Sequence, residues 1–209
     1  MAAIDTPKTA TRRELLASAA AIGTLPAMGS TAVALFGADA ARAAQAPMSE
    51  ADLLGEMLSA EFLAVAVYEG VIASGLLSPY TAHEAHRALS QERAHVRALT
   101  PTLLTLGGTI PPRPGSPDAV DAALAARHVA GRLADLHTEH DCVALLLDLE
   151  SVVIGVYYLA MPMIQDPGVV QLAAQIMANE AQHATAVSEA RRPGDIGQAV
   201  PYAFVEGTH

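Results

Sequence analysis

The residues that stand out are glutamates and histidines that recur at the same spacing in two halves of the chain. Glu61 lies 31 residues before a Glu-x-x-His motif, and Glu150 lies 30 residues before a second one. Each of these lone glutamates is followed seven residues later by a tyrosine. The repeated set consists of Glu61, Tyr68, Glu92 and His95 in the first half and Glu150, Tyr157, Glu180 and His183 in the second.

Helical spacing turns this repeat into a prediction about geometry. Residues three apart in an α-helix are rotated by about 60° and rise about 4.5 Å, so the Glu and His of each motif share one face. Glu61 and Glu150 lie in the most apolar stretches of their helices. Burying one unpaired carboxylate costs on the order of several kcal/mol or keeps the group protonated. Two divalent cations would balance four converging carboxylates, so we expect a two-metal site. The alternative is a bundle whose polar core has lost its metal.

A third Glu-x-x-His match and the remaining histidines do not share this pattern. The third match, from Glu206 to His209, contains a glycine and has no lone glutamate about thirty residues before it in a helical setting. We expect the other histidines to lie on the surface or in connections. They are His83, His86, His128, His137 and His140.

The elements that must position these residues are four long helices, since no segment shows the period-two alternation of a strand. We expect them over residues 49–77, 80–106, 137–164 and 169–192, with a moderately helical connector over 118–136. Two short connections and one long, proline-rich one in the middle favour two helical pairs joined by a crossover. The sequence therefore predicts an all-α, four-helix bundle over residues 47–192, followed by a surface tail over 193–209.

The spacing resembles that of a known superfamily. A Glu on each of two helices and Glu-x-x-His on each of the other two is the pattern of the ferritin-like di-iron and di-manganese carboxylate proteins. More narrowly, the surroundings of Glu61, Glu92 and Glu180 look like those in bacterial ferritin-like proteins linked with desiccation tolerance. One departure is Ala64, where that group commonly has a second acidic residue.

The resemblance implies a role for each residue of the repeat. Glu61 and Glu150 would be terminal or chelating ligands, one for each metal. Glu92 and Glu180 would bridge the two ions, and the two histidines would each cap one ion. A carboxylate-rich site with one imidazole per metal suits two iron ions, with manganese as the alternative. Tyr68 and Tyr157 would hydrogen-bond ligands or donate an electron; equally, they fill the core as large side chains.

Composition excludes several other classes of function. The net charge is −10, so no basic surface is available to neutralise the phosphates of a nucleic acid. Cys142 is the single cysteine, which excludes an internal disulfide and a cysteine-ligated cluster. We expect Cys142 to be a small apolar residue inside a helix.

The first 46 residues are predicted to be an export signal outside the fold. Paired arginines at Arg12 and Arg13 precede a weakly hydrophobic run over 17–36, and several Ala-x-Ala sites follow. This arrangement resembles a twin-arginine signal, with Leu15 where phenylalanine is usual. The alternatives are an ordinary amphipathic segment or a membrane anchor. The expected location is the periplasm, cell envelope or extracellular space, and the export machinery is the expected partner.

Three functions are compatible with such a site. The leading hypothesis is redox chemistry at a di-iron pair, in which ferrous ions are oxidised by dioxygen or peroxide during stress protection. A di-manganese catalase uses much the same ligands. In the third, the metal only staples the four helices of a non-catalytic envelope protein during drying. A small homo-oligomer is compatible with all three.

Overall fold

The computed structural model describes residues 48–191 and residue 194. The described part of the chain is all-helical and contains no β-strand, which confirms the predicted fold class. Its five α-helices are α1 (Glu50–Ala73), α2 (Pro79–Thr105), α3 (Pro117–Ala126), α4 (Glu139–Ala160) and α5 (Pro167–Arg191). Short 3-10 turns lie at Leu133–Asp135 and Met161–Met163. The predicted export signal, the predicted tail apart from residue 194, and the third Glu-x-x-His match lie outside the described residues.

Side-chain caps explain where the long helices begin. Ser49 and Asp52 form a reciprocal capping box at the start of α1, and Thr138 and Asp141 form another at the start of α4. Ser78 caps α2 by accepting a hydrogen bond from a backbone amide in the first turn. Each cap satisfies an amide that has no partner within the helix.

Several predicted boundaries differ from the structure by a few residues, and the reasons are local. The first helix ends at Ala73 rather than at residue 77, because Gly75 adopts a left-handed conformation (φ 69°). Pro79 opens α2, one residue earlier than predicted, because proline lacks only an amide that is unpaired in a first turn anyway. The helix predicted to end at residue 164 is α4, which gives way to a 3-10 turn that contains Pro162.

The predicted connector helix over 118–136 was also too long. Residues 117–126 form α3, and the chain then turns through His128, which has a positive φ of 57°. The 3-10 turn that follows lies against α1, where an added Cβ at Gly70 would approach Leu133 Cδ1 to 2.7 Å. Leu133 therefore packs directly on Gly70, and a larger residue at this position of α1 would require the Leu133 side chain to shift.

The four long helices form a ring in which α1 packs against α2 and α4, and α5 packs against α4 and α2. Short connections make the α1–α2 and α4–α5 pairs hairpins, and the crossover with α3 joins them. Leu, Val and Ala side chains fill the space between them, and Cys142 is buried there as predicted. Glu139–Met163 is long and apolar enough to cross a membrane by length and composition, but half of it is buried inside the bundle. The bundle thus brings one carboxylate-bearing face of each long helix to a shared apolar interior.

Two neighbouring leucines in α2 test the core. Leu103 is fully buried and Leu104 is 53% exposed. We expect Leu103→Ala to lower the free energy of unfolding by about 2–5 kcal/mol, because it leaves a cavity. Leu104→Ala should change it by less than about 0.5 kcal/mol. Urea denaturation of the metal-free protein measures both, and equal losses would contradict this packing.

Candidate metal centre

The structure buries the repeated glutamates and histidines at the centre of the bundle. Each of the four long helices contributes one glutamate, and all four glutamates are inaccessible to solvent. His95 on α2 and His183 on α5 are only 7% and 3% exposed. The sequence thus predicted which polar side chains face the apolar interior. The five histidines expected on the surface or in connections are all exposed, as predicted.

These six side chains form two overlapping groups. In each group, four residues offer ligand atoms that all lie within 4.8 Å of one another. Glu92 and Glu180 belong to both groups. Glu61 and His95 complete the first, and Glu150 and His183 complete the second. The two groups are adjacent and share a pair of carboxylates, which is compatible with two neighbouring cation sites.

Both imidazoles turn the same nitrogen towards the carboxylates. His95 Nδ1 lies 2.7 Å from Glu180 Oε1 and 3.2 Å from Glu61 Oε2. His183 Nδ1 lies 2.9 Å from Glu92 Oε1 and 3.2 Å from Glu180 Oε2. The two rings are stacked with their centroids 5.9 Å apart. Nδ1 is therefore the atom that each histidine offers to its group.

The two tyrosines are crossed between the halves of the repeat. Tyr68 on α1 donates a hydrogen bond to Glu150 Oε1 on α4, and Tyr157 on α4 donates one to Glu61 Oε1 on α1. Both tyrosines are fully buried. Seven-residue spacing placed each tyrosine on the helical face of the lone glutamate in its own half. Its actual partner is the glutamate of the other half, because α1 and α4 pack against each other.

Two amides that the sequence analysis missed contact the outer edge of the histidines. Asn179 Oδ1 lies 2.9 Å from His95 Nε2, and Gln91 Oε1 lies 2.7 Å from His183 Nε2. Their position in the sequence is the signal that could identify them. Each amide occupies the residue immediately before the glutamate of a Glu-x-x-His motif.

Burial and like-charge repulsion dominate the electrostatics of the centre without metal. Burial, with repulsion from Glu180 and Glu92, raises the pKa of Glu61 and of Glu150 well above the usual value. Burial also acts on Glu92, but the close imidazolium groups of His183 and His95 outweigh it and lower the pKa of Glu92 to about 2. Protons and imidazolium groups thus balance the buried negative charge.

The two histidines hold their protons for the same reason. Burial alone would lower the pKa of each ring, but contacts of both rings with Glu180 and Glu92, and of His95 with Glu61, outweigh it. The pKa of His95 rises to about 12 and that of His183 to about 9. Burial and the negative charge of Glu150 also raise the pKa of the Tyr68 phenol, which therefore stays a donor.

One observation in the structure supports a fit between these donor atoms and divalent cations. Both oxygens of Glu92, Oε2 of Glu150 and Oε1 of Glu180 are buried without a hydrogen-bond partner in the described part of the chain. Glu92 Oε1 is 2.9 Å from His183 Nδ1, but the ring N–H is not aligned to donate to it. Buried carboxylate oxygens without partners are costly, and metal ions supply the missing interactions. The groups are compatible with a metal site.

Comparison with known proteins agrees with this fold. Residues 49–192 match the model of the ferritin-like domain family. The chain belongs to that family. Neither a curated protein nor a solved structure matches the chain.

The metal-free protein should lose stability as the pH rises from 6.5 to about 9. Folded His183 keeps a proton up to about pH 9, whereas the unfolded side chain releases it near 6.5. The folded state therefore binds more protons in this window, and the free energy of unfolding falls as the pH rises. His95, Glu61 and Glu150 act in the same direction, since their pKa values are also raised. Melting temperatures across this window measure the effect.

Two variants sharpen the pH experiment. His183→Gln removes a titrating group from the centre and should flatten the fall in melting temperature. His83→Gln, at an exposed position in α2, should keep the fall unchanged. A melting temperature that rises with pH in the metal-free wild type would contradict the electrostatic account.

Adjacent tyrosines on α4 test the crossed hydrogen bonds. Tyr157→Phe removes the donor to Glu61 and leaves a buried carboxylate oxygen without it, so we expect a loss of about 1–3 kcal/mol in unfolding free energy. Tyr158 is 57% exposed, and Tyr158→Phe should change it by less than about 0.5 kcal/mol. Urea denaturation at one pH compares the two, and an unaffected Tyr157→Phe variant would refute this role of the phenol.

Proposed function

We propose that this chain is an exported ferritin-like protein that holds two iron ions and oxidises ferrous iron with dioxygen or peroxide. The observation that carries the proposal is the pair of overlapping groups that share Glu92 and Glu180. A shared pair of carboxylates keeps two cations adjacent, and adjacent ions can deliver two electrons to one oxidant. Manganese in the same ligands is the alternative.

The assignment of ligands follows the membership of the two groups. Glu92 and Glu180 belong to both groups and would bridge the two ions. Glu61 with His95 completes one position, and Glu150 with His183 completes the other. Four carboxylates then balance two divalent cations while both imidazoles are neutral. Carboxylate-rich sites with one imidazole per ion suit iron or manganese better than soft metals.

Charge balance also favours loading with divalent ions. Entry of two cations displaces the protons that His95, His183, Glu61 and Glu150 hold in the metal-free centre, so metal binding releases protons. The site is enclosed by apolar side chains, which strengthens every electrostatic contact inside it. The binding affinity is therefore expected to rise with pH.

The proposed reaction balances electrons and protons. Two ferrous ions held by these residues would supply one electron each, and two electrons with two protons would convert dioxygen to hydrogen peroxide, or hydrogen peroxide to water. The chain's own residues hold the geometry around this exchange. Tyr68 and Tyr157 fix Glu150 and Glu61, and each phenol stands where it can also donate an electron. The reaction consumes ferrous iron and the oxidant together, which suits protection against oxidative stress.

The location and the physiological role extend the proposal. Arg12 and Arg13, followed by a weakly hydrophobic run, support export by the twin-arginine route to the periplasm, envelope or extracellular space. That route carries folded proteins, so the metal centre can fill before export. The likeness to desiccation-related ferritin-like proteins supports a role in stress protection.

Ferrous oxidation in air tests the proposed reaction. Apo-protein should oxidise added ferrous iron faster than Glu92→Ala or Glu180→Ala protein by at least about tenfold, since changes outside the ligand shell alone commonly cost that much. Glu69→Ala removes a carboxylate that is half exposed on α1 and should oxidise iron like the wild type. The absorbance of ferric product gives the rates.

Equal rates in the wild type and both bridging variants would overturn the proposed iron chemistry. Elemental analysis of protein purified from its native envelope, without added metal, separates the alternatives. Manganese in that sample, with oxygen released from peroxide, would assign a catalase instead.

A further inference from the structure

The two amides at the outer edge of the centre are crossed between the hairpins. Asn179 on α5 contacts His95 on α2, and Gln91 on α2 contacts His183 on α5. Both amides are half-buried at the α2–α5 interface. Each one immediately precedes the glutamate of its own motif but serves the histidine of the other motif.

The contact reaches the nitrogen that faces away from the carboxylates. In both histidines, Nδ1 points to the glutamates and Nε2 points to the amide oxygen. An amide oxygen only accepts, so the hydrogen bond forms when Nε2 carries a proton and donates it. A neutral ring with its proton on Nε2 has its lone pair on Nδ1. The amide thereby selects the tautomer that offers a ligand to a cation.

The choice of an amide rather than a carboxylate has a chemical consequence. An outer carboxylate would add a charge at the edge of a centre that already holds four. A neutral amide orients the ring and fixes its proton without changing that balance. The outer hydrogen bond on a metal-ligating histidine is a general device for setting ring orientation and ligand basicity.

We propose that Asn179 and Gln91 are crossed positioning residues: Asn179 prepares His95 for the first cation position, and Gln91 prepares His183 for the second. This inference rests on the proposed metal centre. Each amide is expected to affect the cation position that contains the histidine of the other motif. Position along the sequence alone would instead pair Asn179 with Glu180 and His183.

Cobalt(II) titration of the full chain, followed by visible absorption, tests the assignment. Wild-type protein should bind two ions. Asn179→Leu and Gln91→Leu remove the acceptor at similar side-chain size, and each should weaken one of the two ions by about 10–100-fold. Gln182→Leu changes an exposed amide between Glu180 and His183 and should leave both affinities unchanged.

A double-mutant cycle identifies which ion each amide serves. In a protein that already carries His95→Ala, Asn179→Leu should cause little further loss of cobalt affinity. In a protein that carries His183→Ala, it should cause the same loss as in the wild type. Gln91→Leu should behave in the opposite way. The reverse coupling would overturn the crossed assignment, as would Leu variants with wild-type affinities.

Conservative rescue and tautomer measurement separate positioning from packing. Asn179→Gln and Gln91→Asn keep a neutral acceptor oxygen and should recover part of the affinity that the Leu variants lose. In zinc-loaded wild type, nitrogen-15 NMR of the histidines should find the proton of His95 and His183 on Nε2. A proton on Nδ1 would overturn the inference even if the Leu variants failed to fold. Wild-type protein that binds no cobalt would overturn the metal centre and this inference together, whereas two-ion binding without the predicted losses would overturn this inference alone.

Discussion

Four carboxylates that converge in an apolar interior are the constraint on which the rest of this structure depends. Glu61, Glu92, Glu150 and Glu180 are fully buried, and several of their oxygens have no partner in the described residues. Such a cluster is unfavourable unless positive charge lies within it. Without metal, imidazolium groups and retained protons supply that charge. With metal, two cations would supply it, and the protons would leave.

The neighbours of the cluster are arranged to hold it in place. Phenols from α1 and α4 donate to the two glutamates that belong to only one group each, and amides from α2 and α5 contact the outer nitrogens of the histidines. All of these contacts are crossed between the hairpins. The fold therefore repeats one half-site twice and joins the copies through hydrogen bonds rather than through apolar packing alone.

The sequence predicted the helices and the inward-facing ligands well because both depend on local spacing. Glu92 and His95 share a face by helical geometry, and the apolar surroundings of Glu61 mark it as buried. Boundaries were less accurate near Gly75 and Pro79, where a single residue decides between ending and starting a helix. Local rules alone left both outcomes open.

Partners across the bundle were the part that sequence could not predict. Tyr68 was placed on the face of Glu61, but its bond to Glu150 depends on how closely α1 packs on α4. The amides at Gln91 and Asn179 were overlooked because a polar residue before a glutamate is unremarkable on a helix. Their repeated position becomes informative only when the opposite histidine is seen next to them.

The contacts that cross between the two hairpins also determine how the centre is assembled. Each cation position draws three residues from one hairpin and the fourth, Glu180 or Glu92, from the other. An isolated hairpin would therefore have an incomplete cradle with no phenol or amide support from its counterpart. Docking of the two hairpins therefore completes both groups of side chains at once, and any ions held in them would be released when the hairpins separate.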